Sequence, residues 1–211
     1  MESNPWREIR LDVYESHMRD EAVGQLARLR EITADQLRDH PTRTVGILGV
    51  AGGNGLDVID PASVDVVHGY DINRDYLDAC RVRYGDRFGK RLRLTECTID
   101  RTLIIDPADL LIANLIVEYV GIAEFVVFAE VNTARIGVLS CVTQQNRGAG
   151  IVSATEYSSA FAGLESIASE VDPPKLASAL SAARFSLIGT REYPLPNGKI
   201  LTRQDFQSPH P

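Results

Sequence analysis

Two features of the sequence, close together along the chain, have residue types suited to binding a nucleoside. Residues 49–55 contain four glycines directly after an apolar run, and Asp71 follows a second apolar run sixteen residues after Gly55. Glycine leaves backbone N–H groups open to a ligand, and a carboxylate accepts hydrogen bonds from sugar hydroxyls. The spacing therefore predicts a nucleoside site, with a structural turn at Asp71 as the alternative.

The glycine segment matches the dinucleotide-binding fingerprint poorly. The pattern G-x-G-x-x-G/A read from Gly53 ends at Val58, and read from Gly49 it places Ala51 at the second glycine. A nicotinamide-dependent oxidoreductase is therefore a weak alternative.

Composition narrows the classes of partner. The net charge of -7 at 24% charged residues predicts no broad basic surface, so nucleic acid is not expected as a partner, although Lys90, Arg91 and Arg93 form a local basic patch. The three cysteines are odd in number and far apart, and the four histidines, at 17, 40, 68 and 210, are scattered. These patterns predict reduced thiols and no metal site. No apolar run approaches about eighteen residues and no signal pattern is present, so we expect no membrane association and a cytoplasmic location.

Strand and helix patterns alternate along most of the chain, which favours parallel strands joined by crossovers. The last two strand-like runs flank Asn197-Gly198, a strong hairpin signal. The predicted fold is α/β, a three-layer Rossmann-like sheet of seven mostly parallel strands closed by an antiparallel hairpin. A helix is expected directly after the glycines. Strands are predicted at 44–50, 64–70, 91–97, 109–114, 136–143, 185–193 and 199–206, and helices at 15–38, 73–84 (N-capped by Asn73), 118–131, 155–168 and 176–183.

Three motifs and the closing hairpin together resemble class I S-adenosylmethionine-dependent methyltransferases. The motifs are residues 47–55, 70–72 and 108–114, and the resemblance spans nearly the whole chain. Residues 5–9 and 14–18 are similar to a bacterial subgroup of small members. The resemblance implies S-adenosylmethionine as the cofactor, a fold with no fixed catalytic residue, and a small-molecule methyl acceptor.

The resemblance also implies which positions contact the cofactor. The glycine segment would pass under the methionine part, Asp71 would bind the ribose, and either Thr98 or Asp100 would reach the adenine amine. Members usually carry an acid where this chain has Gly49, so another group must bind the cofactor's ammonium or hold it through water. The implied cofactor-binding residues are Gly49, Val50, Ala51, Gly53, Gly55, Asp71, Ile72, Thr98, Ile99, Asn114 and Leu115.

The catalytic residues stay unknown at this stage, with four candidates. His17 is either a base for the acceptor or a packing residue, and Tyr14 is either a lid over the cofactor or part of the core. Glu118 and Tyr119 follow Asn114, where acceptor contacts would fall, although Glu118 could instead favour a helix dipole. Residues 144–146 either hydrogen-bond a polar acceptor or form a solvated loop.

We expect one methyltransferase domain, as a monomer or homodimer, acting on a small molecule. A non-catalytic S-adenosylmethionine-binding protein is the main alternative from another class. The expected parts are an N-terminal helical cap (1–40), a cofactor-binding core (44–143), an insertion and helices near the acceptor (147–183) and a closing hairpin (184–207), within a domain of residues 1–211.

Overall fold

A seven-stranded mixed sheet lies at the centre of the protein, in the order β3-β2-β1-β4-β5-β7-β6. The computed structural model describes residues 4–148 and 150–209, so His210 lies outside the described residues. Strands β1 to β5 pair in parallel, and β7 is antiparallel to both β5 and β6, as the sequence predicts. The strands are β1 (Thr44–Leu48), β2 (Val66–Asp71), β3 (Leu92–Glu96), β4 (Ala108–Asn114), β5 (Ile136–Gln145), β6 (Ser186–Pro194) and β7 (Ile200–Gln207).

In the described ranges, six α-helices and several short 3-10 turns precede the first strand or connect the strands. Within the described part of the chain, no helix is long and apolar enough to cross a membrane. The α-helices are α1 (Leu11–Arg19), α2 (Gln25–Asp39), α3 (Arg74–Phe88), α4 (Val117–Val120), α5 (Ile122–Val131) and α6 (Pro173–Ala182), and the 3-10 turns are Pro5–Arg7, Leu56–Val58, Gly89–Arg91, Thr133–Arg135 and Ser158–Ser166.

The sheet has an apolar core on each face, which makes the fold three-layered. Successive residues of a strand point to opposite faces, and β4 illustrates this. Leu110 and Ile112 of β4 pack in a core with α3, whereas Leu111 and Ala113 pack in a second core with α5 and α6. Because both faces of the strand are covered, β4 reads in the sequence as an unbroken apolar run.

The predicted helix 15–38 is wrong as a single element, because the chain forms two helices there. Helix α1 ends at Arg19, Asp20 accepts a hydrogen bond from the N–H of Ala22 at 2.9 Å, and α2 begins after Gly24. Gly24 has a φ of +63°, and a side chain on it would meet Pro196 at 2.9 Å. The apolar spacing of the two helices is in phase, so periodicity alone did not reveal the turn.

The expected helix after the glycines is also wrong. A three-residue 3-10 turn, Leu56–Val58, stands in its place, so no regular helix presents its N-terminus to a ligand there. The predicted helix 118–131 is divided at Gly121, whose φ is +82°, and the helical region 155–168 is a 3-10 segment over Ser158–Ser166. By contrast, Asn73 caps α3 as predicted, since its side-chain oxygen accepts from the N–H groups of Asp75 and Tyr76.

Candidate functional site

A cavity of about 300 Å³ opens at the carboxyl ends of β1, β2 and β4. The loops after these strands contribute pairs of residues to its wall: Gly49 and Ala51, Asp71 and Ile72, and Asn114 and Leu115. Because carboxyl ends of parallel strands meet at one edge of a sheet, this is where α/β folds bind ligands. The structure therefore brings together residues that are distant in sequence but share one predicted role.

Asp71 is the best-anchored polar side chain of this cavity. It is buried, and its two carboxylate oxygens accept from different backbone N–H groups, Oδ2 from Ala51 at 2.8 Å and Oδ1 from Asn73 at 2.9 Å. Burial raises the pKa of Asp71, and the backbone hydrogen bonds oppose this shift. Each oxygen can accept a further hydrogen bond. The carboxylate is therefore held in one orientation by the backbone and can still accept hydrogen bonds from a ligand.

Backbone strain occurs in two of the loops that line the cavity. Ala51 and Leu115 are non-glycine residues with φ of +48° and +57°. Left-handed backbone costs such residues about 1 to 2 kcal/mol and persists only where the surroundings enforce it, commonly at binding sites. Leu115 is held by its N–H, which donates to the carbonyl of Val142 at 2.8 Å.

A side chain at Gly49, the position at which the resemblance predicts an acid, would collide with the side chain of Ile116. The φ of Gly49 is +66°, and a Cβ atom would lie 2.3 Å from Cδ1 of Ile116. Ile116 itself lines the cavity after β4. The apolar side chain of Ile116 therefore occupies the space that the predicted acid would need.

The structure separates the other predicted cofactor residues into two groups. Thr98 and Ile99 line the cavity after β3. Asp100 instead accepts from the N–H and hydroxyl of Thr102, which favours Thr98 of the two candidates for the adenine side. The second group lies away from the cavity and packs internally: Val50 against Gly69, Gly53 against the ring of Tyr84, and Gly55 against Thr33. The close packing explains these two glycines without a ligand.

The N-terminal segment forms an aromatic wall over the cavity. The ring of Trp6 makes edge-to-face contacts with Tyr14 at 5.6 Å and with Tyr119 at 5.0 Å between centroids. Asn73 ties this segment to the end of β2, because its amide donates to the carbonyls of Trp6 at 2.8 Å and of Ile9 at 3.3 Å. Asn73 thus caps α3 and secures the wall at once, a second role that its sequence context does not reveal.

Glu118 lies in the half of the cavity next to β5. It is 4% exposed, and its Oε1 accepts from the N–H of Gln144 at 2.7 Å. Its Oε2 has no hydrogen-bond partner among the described residues. Burial raises the pKa of Glu118 to about 7, opposed in part by the hydrogen bond from Gln144.

The candidate residue His17 is buried on the same side of the cavity. Its Nδ1 lies 2.8 Å from the hydroxyl of Thr155, and its ring is 4.6 Å from that of Phe161. Burial is the main cause that lowers its pKa, and the nearby ammonium of Lys199 adds to it. His17 is therefore neutral near pH 7, packed and hydrogen-bonded at once.

Gln144 belongs to β5, so the solvated-loop reading of residues 144–146 is wrong at this position. The side chain is buried and lines the cavity. Its Oε1 accepts from Gln25, and its Nε2 donates to Asn146 at 2.6 Å and to the carbonyl of Ile151 at 3.0 Å. The amide thus links α2, β5 and the segment after β5.

Several lining residues were not singled out individually from the sequence. Ile151, Val152, Phe161 and Leu164 come from the predicted insertion, whose contact with an acceptor stays a prediction. In the sequence, only the apolar character of these residues indicated burial, and apolar character does not distinguish a cavity wall from an ordinary core position. The further lining residues are Asn4, Trp6, Met18, Gln25, Tyr76, Cys97, Ile116, Val120 and Glu124.

Comparison with known proteins places the fold. The sequence matches no protein-family profile and no curated protein. Among solved structures, magnesium protoporphyrin IX methyltransferase (ChlM) from Synechocystis PCC 6803 with bound S-adenosylmethionine has a TM-score of 0.71 at 12% identity, over 96% of this chain and 93% of that one. N-methyltransferase NodS from Bradyrhizobium japonicum WM9, in complex with S-adenosylhomocysteine, has a TM-score of 0.69 at 10% identity, over 98% and 100%.

A third similar structure, the [4+2]-cyclase SpnF, has a TM-score of 0.66 at 11% identity, over 86% of this chain and 81% of that one. Sheet order and the matches over nearly the whole chain define the class: this protein has the fold of class I S-adenosylmethionine-dependent methyltransferases. At such low identities the likeness concerns the fold, and activity has to be argued from the site.

Proposed function

We propose that the protein is an S-adenosylmethionine-dependent methyltransferase acting on a small molecule. The observation that carries the proposal is the position of Asp71, buried at the end of β2 with both oxygens oriented by backbone N–H groups, on the cavity that the β1 and β4 loops also line. A nucleoside ribose offers two adjacent hydroxyl donors, which matches the acceptor capacity left on this carboxylate.

The residues on the cavity suit the cofactor in charge. Asp71 and Glu118 are acidic, and S-adenosylmethionine has a net positive charge because it carries a sulfonium and an ammonium beside one carboxylate. Asp71 and Ile72 would hold the adenosine, with Thr98 beside the adenine, while Gly49 and Asn114 would flank the methionine part. When bound, the cofactor supplies an electrophilic methyl group.

What the chain's own residues must then do is align an acceptor and exclude water. Such alignment supplies roughly 7 to 11 kcal/mol of barrier reduction in favourable cases. The ring wall of Trp6, Tyr14 and Tyr119 closes the cavity from the N-terminal side. This wall supports a role in excluding water and in packing on an apolar acceptor.

Two alternatives are separated by experiment. The similarity to a cyclase means that the fold alone does not require methyl transfer, so a protein that binds the cofactor without transferring methyl is the main competitor. A nicotinamide-dependent oxidoreductase is the other, and the glycine segment disfavours it.

Ligand-dependent thermal unfolding tests the cofactor assignment. S-adenosylhomocysteine at a hundred times its dissociation constant should raise the free energy of unfolding by about 2.7 kcal/mol, and NAD should leave it unchanged. Stabilisation by NAD but not by S-adenosylhomocysteine would overturn the proposal.

Asp71→Asn, with Asp86→Asn as a matched exposed control, localises the site. Hydrogen bonds to a charged group contribute roughly 1.5 to 3 kcal/mol, so we expect affinity for S-adenosylhomocysteine to fall roughly 10- to 150-fold in Asp71→Asn. Asparagine is preferable to alanine here, since alanine would leave the N–H groups of Ala51 and Asn73 without their acceptor. Equal affinity in both variants would remove Asp71 from the site.

A further inference from the structure

Glu118 and Asp71 lie on opposite sides of β1 along the same edge of the sheet. Asp71 ends β2, and Glu118 follows β4 and is bonded to β5 through the N–H of Gln144. Strands β2 and β5 are three positions apart, which corresponds to roughly 14 Å at the usual strand spacing. If the adenosine lies at Asp71, Glu118 belongs to the part of the cavity left for the acceptor.

The carboxyl of Glu118 is fixed at one oxygen and unsatisfied at the other. Oε1 accepts from Gln144, while buried Oε2 has no partner in the part of the chain that the structure describes. A buried polar atom without a partner is costly, so its presence on a cavity points to a ligand that supplies the missing donor. The backbone of the residue is held too, because its carbonyl accepts from the N–H of Ser169 at 2.8 Å.

The cavity has acids but lacks a strong cation. Among the described residues that line it, none is a lysine or an arginine. The chain's own lining residues would therefore offer a phosphate or carboxylate on the acceptor no cationic partner beside Glu118, which favours an uncharged acceptor. Apart from His17, Gln25 and Gln144, the wall around this end is apolar. Phe161, Leu164 and Val152 pack there in one cluster with Trp6 and Tyr119.

We propose that Glu118 is the acceptor-facing catalytic base, and that the acceptor is a small, uncharged, largely apolar or aromatic molecule presenting one hydroxyl or N–H group to it. This inference rests on the proposed methyltransferase function. It adds what the cofactor site does not specify, namely the charge class of the acceptor and the destination of its proton.

The proposed step is balanced in atoms and charge. The acceptor's hydroxyl or N–H proton passes to Oε2 of Glu118, and the freed lone pair of oxygen or nitrogen forms the new bond to the methyl carbon. The carbon–sulfur bond breaks, and its electron pair stays on sulfur. Glu118, now a neutral acid, returns the proton to solvent when the products leave.

Two groups of this region have pKa values shifted toward neutrality. They are Glu118 and the buried ammonium of Lys199, whose pKa burial lowers to about 8 and which donates to the carbonyls of Gly150 and Ile151. Burial raises the pKa values of Tyr119 on the same helix, of Tyr14 on α1 and of Cys141 on β5, so these groups stay neutral. Burial lowers the pKa of His17 and raises that of Asp71 across the cavity. With a pKa of about 7, Glu118 is ionised above neutrality, and we expect methyl transfer to increase with pH through that value.

The test uses the full chain, methyl-labelled S-adenosylmethionine and a small-metabolite extract divided by ion exchange into anionic, cationic and uncharged fractions. Three proteins are compared: the natural chain, Glu118→Gln, and Glu130→Gln as an exposed control on α5. We expect label in the uncharged fraction, transferred by Glu118→Gln about 100-fold or more slowly than by the other two. Affinity for S-adenosylhomocysteine should be the same in all three.

A readout independent of turnover follows the carboxyl itself. Carboxyl-labelled glutamate should give one resonance that titrates near 7 in the natural chain and in Glu130→Gln, and that is absent in Glu118→Gln. Glu118→Asp keeps a shortened carboxylate, so it should retain partial transfer, and it replaces Glu118→Gln if the amide variant does not fold.

The outcomes separate this inference from the function on which it rests. Label in the anionic or cationic fraction, undiminished transfer by Glu118→Gln, or S-adenosylhomocysteine binding with no transfer to any fraction would each overturn the role of Glu118 and leave the cofactor site intact. Failure to bind S-adenosylhomocysteine at all would instead overturn the proposed function.

Discussion

Two buried carboxylates line one cavity, and their surroundings differ in a way that assigns them different work. Asp71 receives a backbone N–H at each oxygen, one from Ala51 after the adjacent strand β1 and one from Asn73 just after β2. Glu118 receives one at Oε1, and its Oε2 has none among the described residues. Burial raises the pKa of both carboxyls, so the difference lies in their hydrogen bonds. Donors at both oxygens suit Asp71 to hold a ligand's hydroxyls, whereas the open oxygen of Glu118, with a pKa of about 7, suits proton transfer.

The two halves of the site also differ in how far they depend on local sequence. Asp71 bonds to its near neighbour Asn73 and to the loop after the adjacent strand. Glu118 accepts a hydrogen bond from the N–H of Gln144, which lies on a different strand. It is covered by the N-terminal wall and by the segment after β5. Local signals therefore identify the first half of the site, while the second half exists only once distant segments pack.

Glu118→Gln should produce the largest change in stability. The folded-state pKa of about 7 lies above the ordinary 4.5, so the folded chain binds the proton more tightly and loses stability as pH rises from about 4.5 through 7. The amide cannot ionise, so we expect the variant to be more stable than the natural chain by on the order of 3 kcal/mol at pH 8. Urea unfolding at pH 8 and at pH 4 measures this difference, which should vanish at the lower pH.

Gly49→Asp adds a carboxylate between the two, at the position where the resemblance predicts an acid. The left-handed backbone and the contact with Ile116 should together cost about 2 kcal/mol of unfolding free energy. Gly198→Asp is the matched control, because Gly198 has a φ of +81° and open space around it, and should cost only about 1 kcal/mol. Equal losses in the two variants, by thermal unfolding, would show that Ile116 is easily displaced.

Asp71→Asn should have the smallest effect on stability and the opposite sign to Glu118→Gln. An amide can accept at its oxygen but presents a donor to the second N–H, so one hydrogen bond is lost. Burial of the carboxylate offsets part of this loss, and we expect a decrease of about 1 kcal/mol at pH 8. A stabilised Asp71→Asn variant would mean that the two carboxylates do not differ in the way described.

Prediction from sequence succeeded where short-range chemistry dominates. Short apolar runs between helical stretches located every strand. Asn197-Gly198 located the hairpin, and the polar side chain of Asn73 located the start of α3. It was wrong at Asp20 to Gly24 and after Gly55, where the backbone turns at glycines of positive φ that pack closely against Pro196 and Thr33 from elsewhere in the chain.

The sequence by itself determined the order of the elements, the closing hairpin and the candidate Asp71, because apolar periodicity, turn residues and an acid after a strand are local properties. Only the tertiary structure decided that Ile116 fills the space beside Gly49, that Trp6 closes the cavity, and that Glu118 is buried with an unsatisfied oxygen. The physical reason is that burial and hydrogen-bond satisfaction depend on which distant segments meet, and the proton affinity of a carboxyl follows from them.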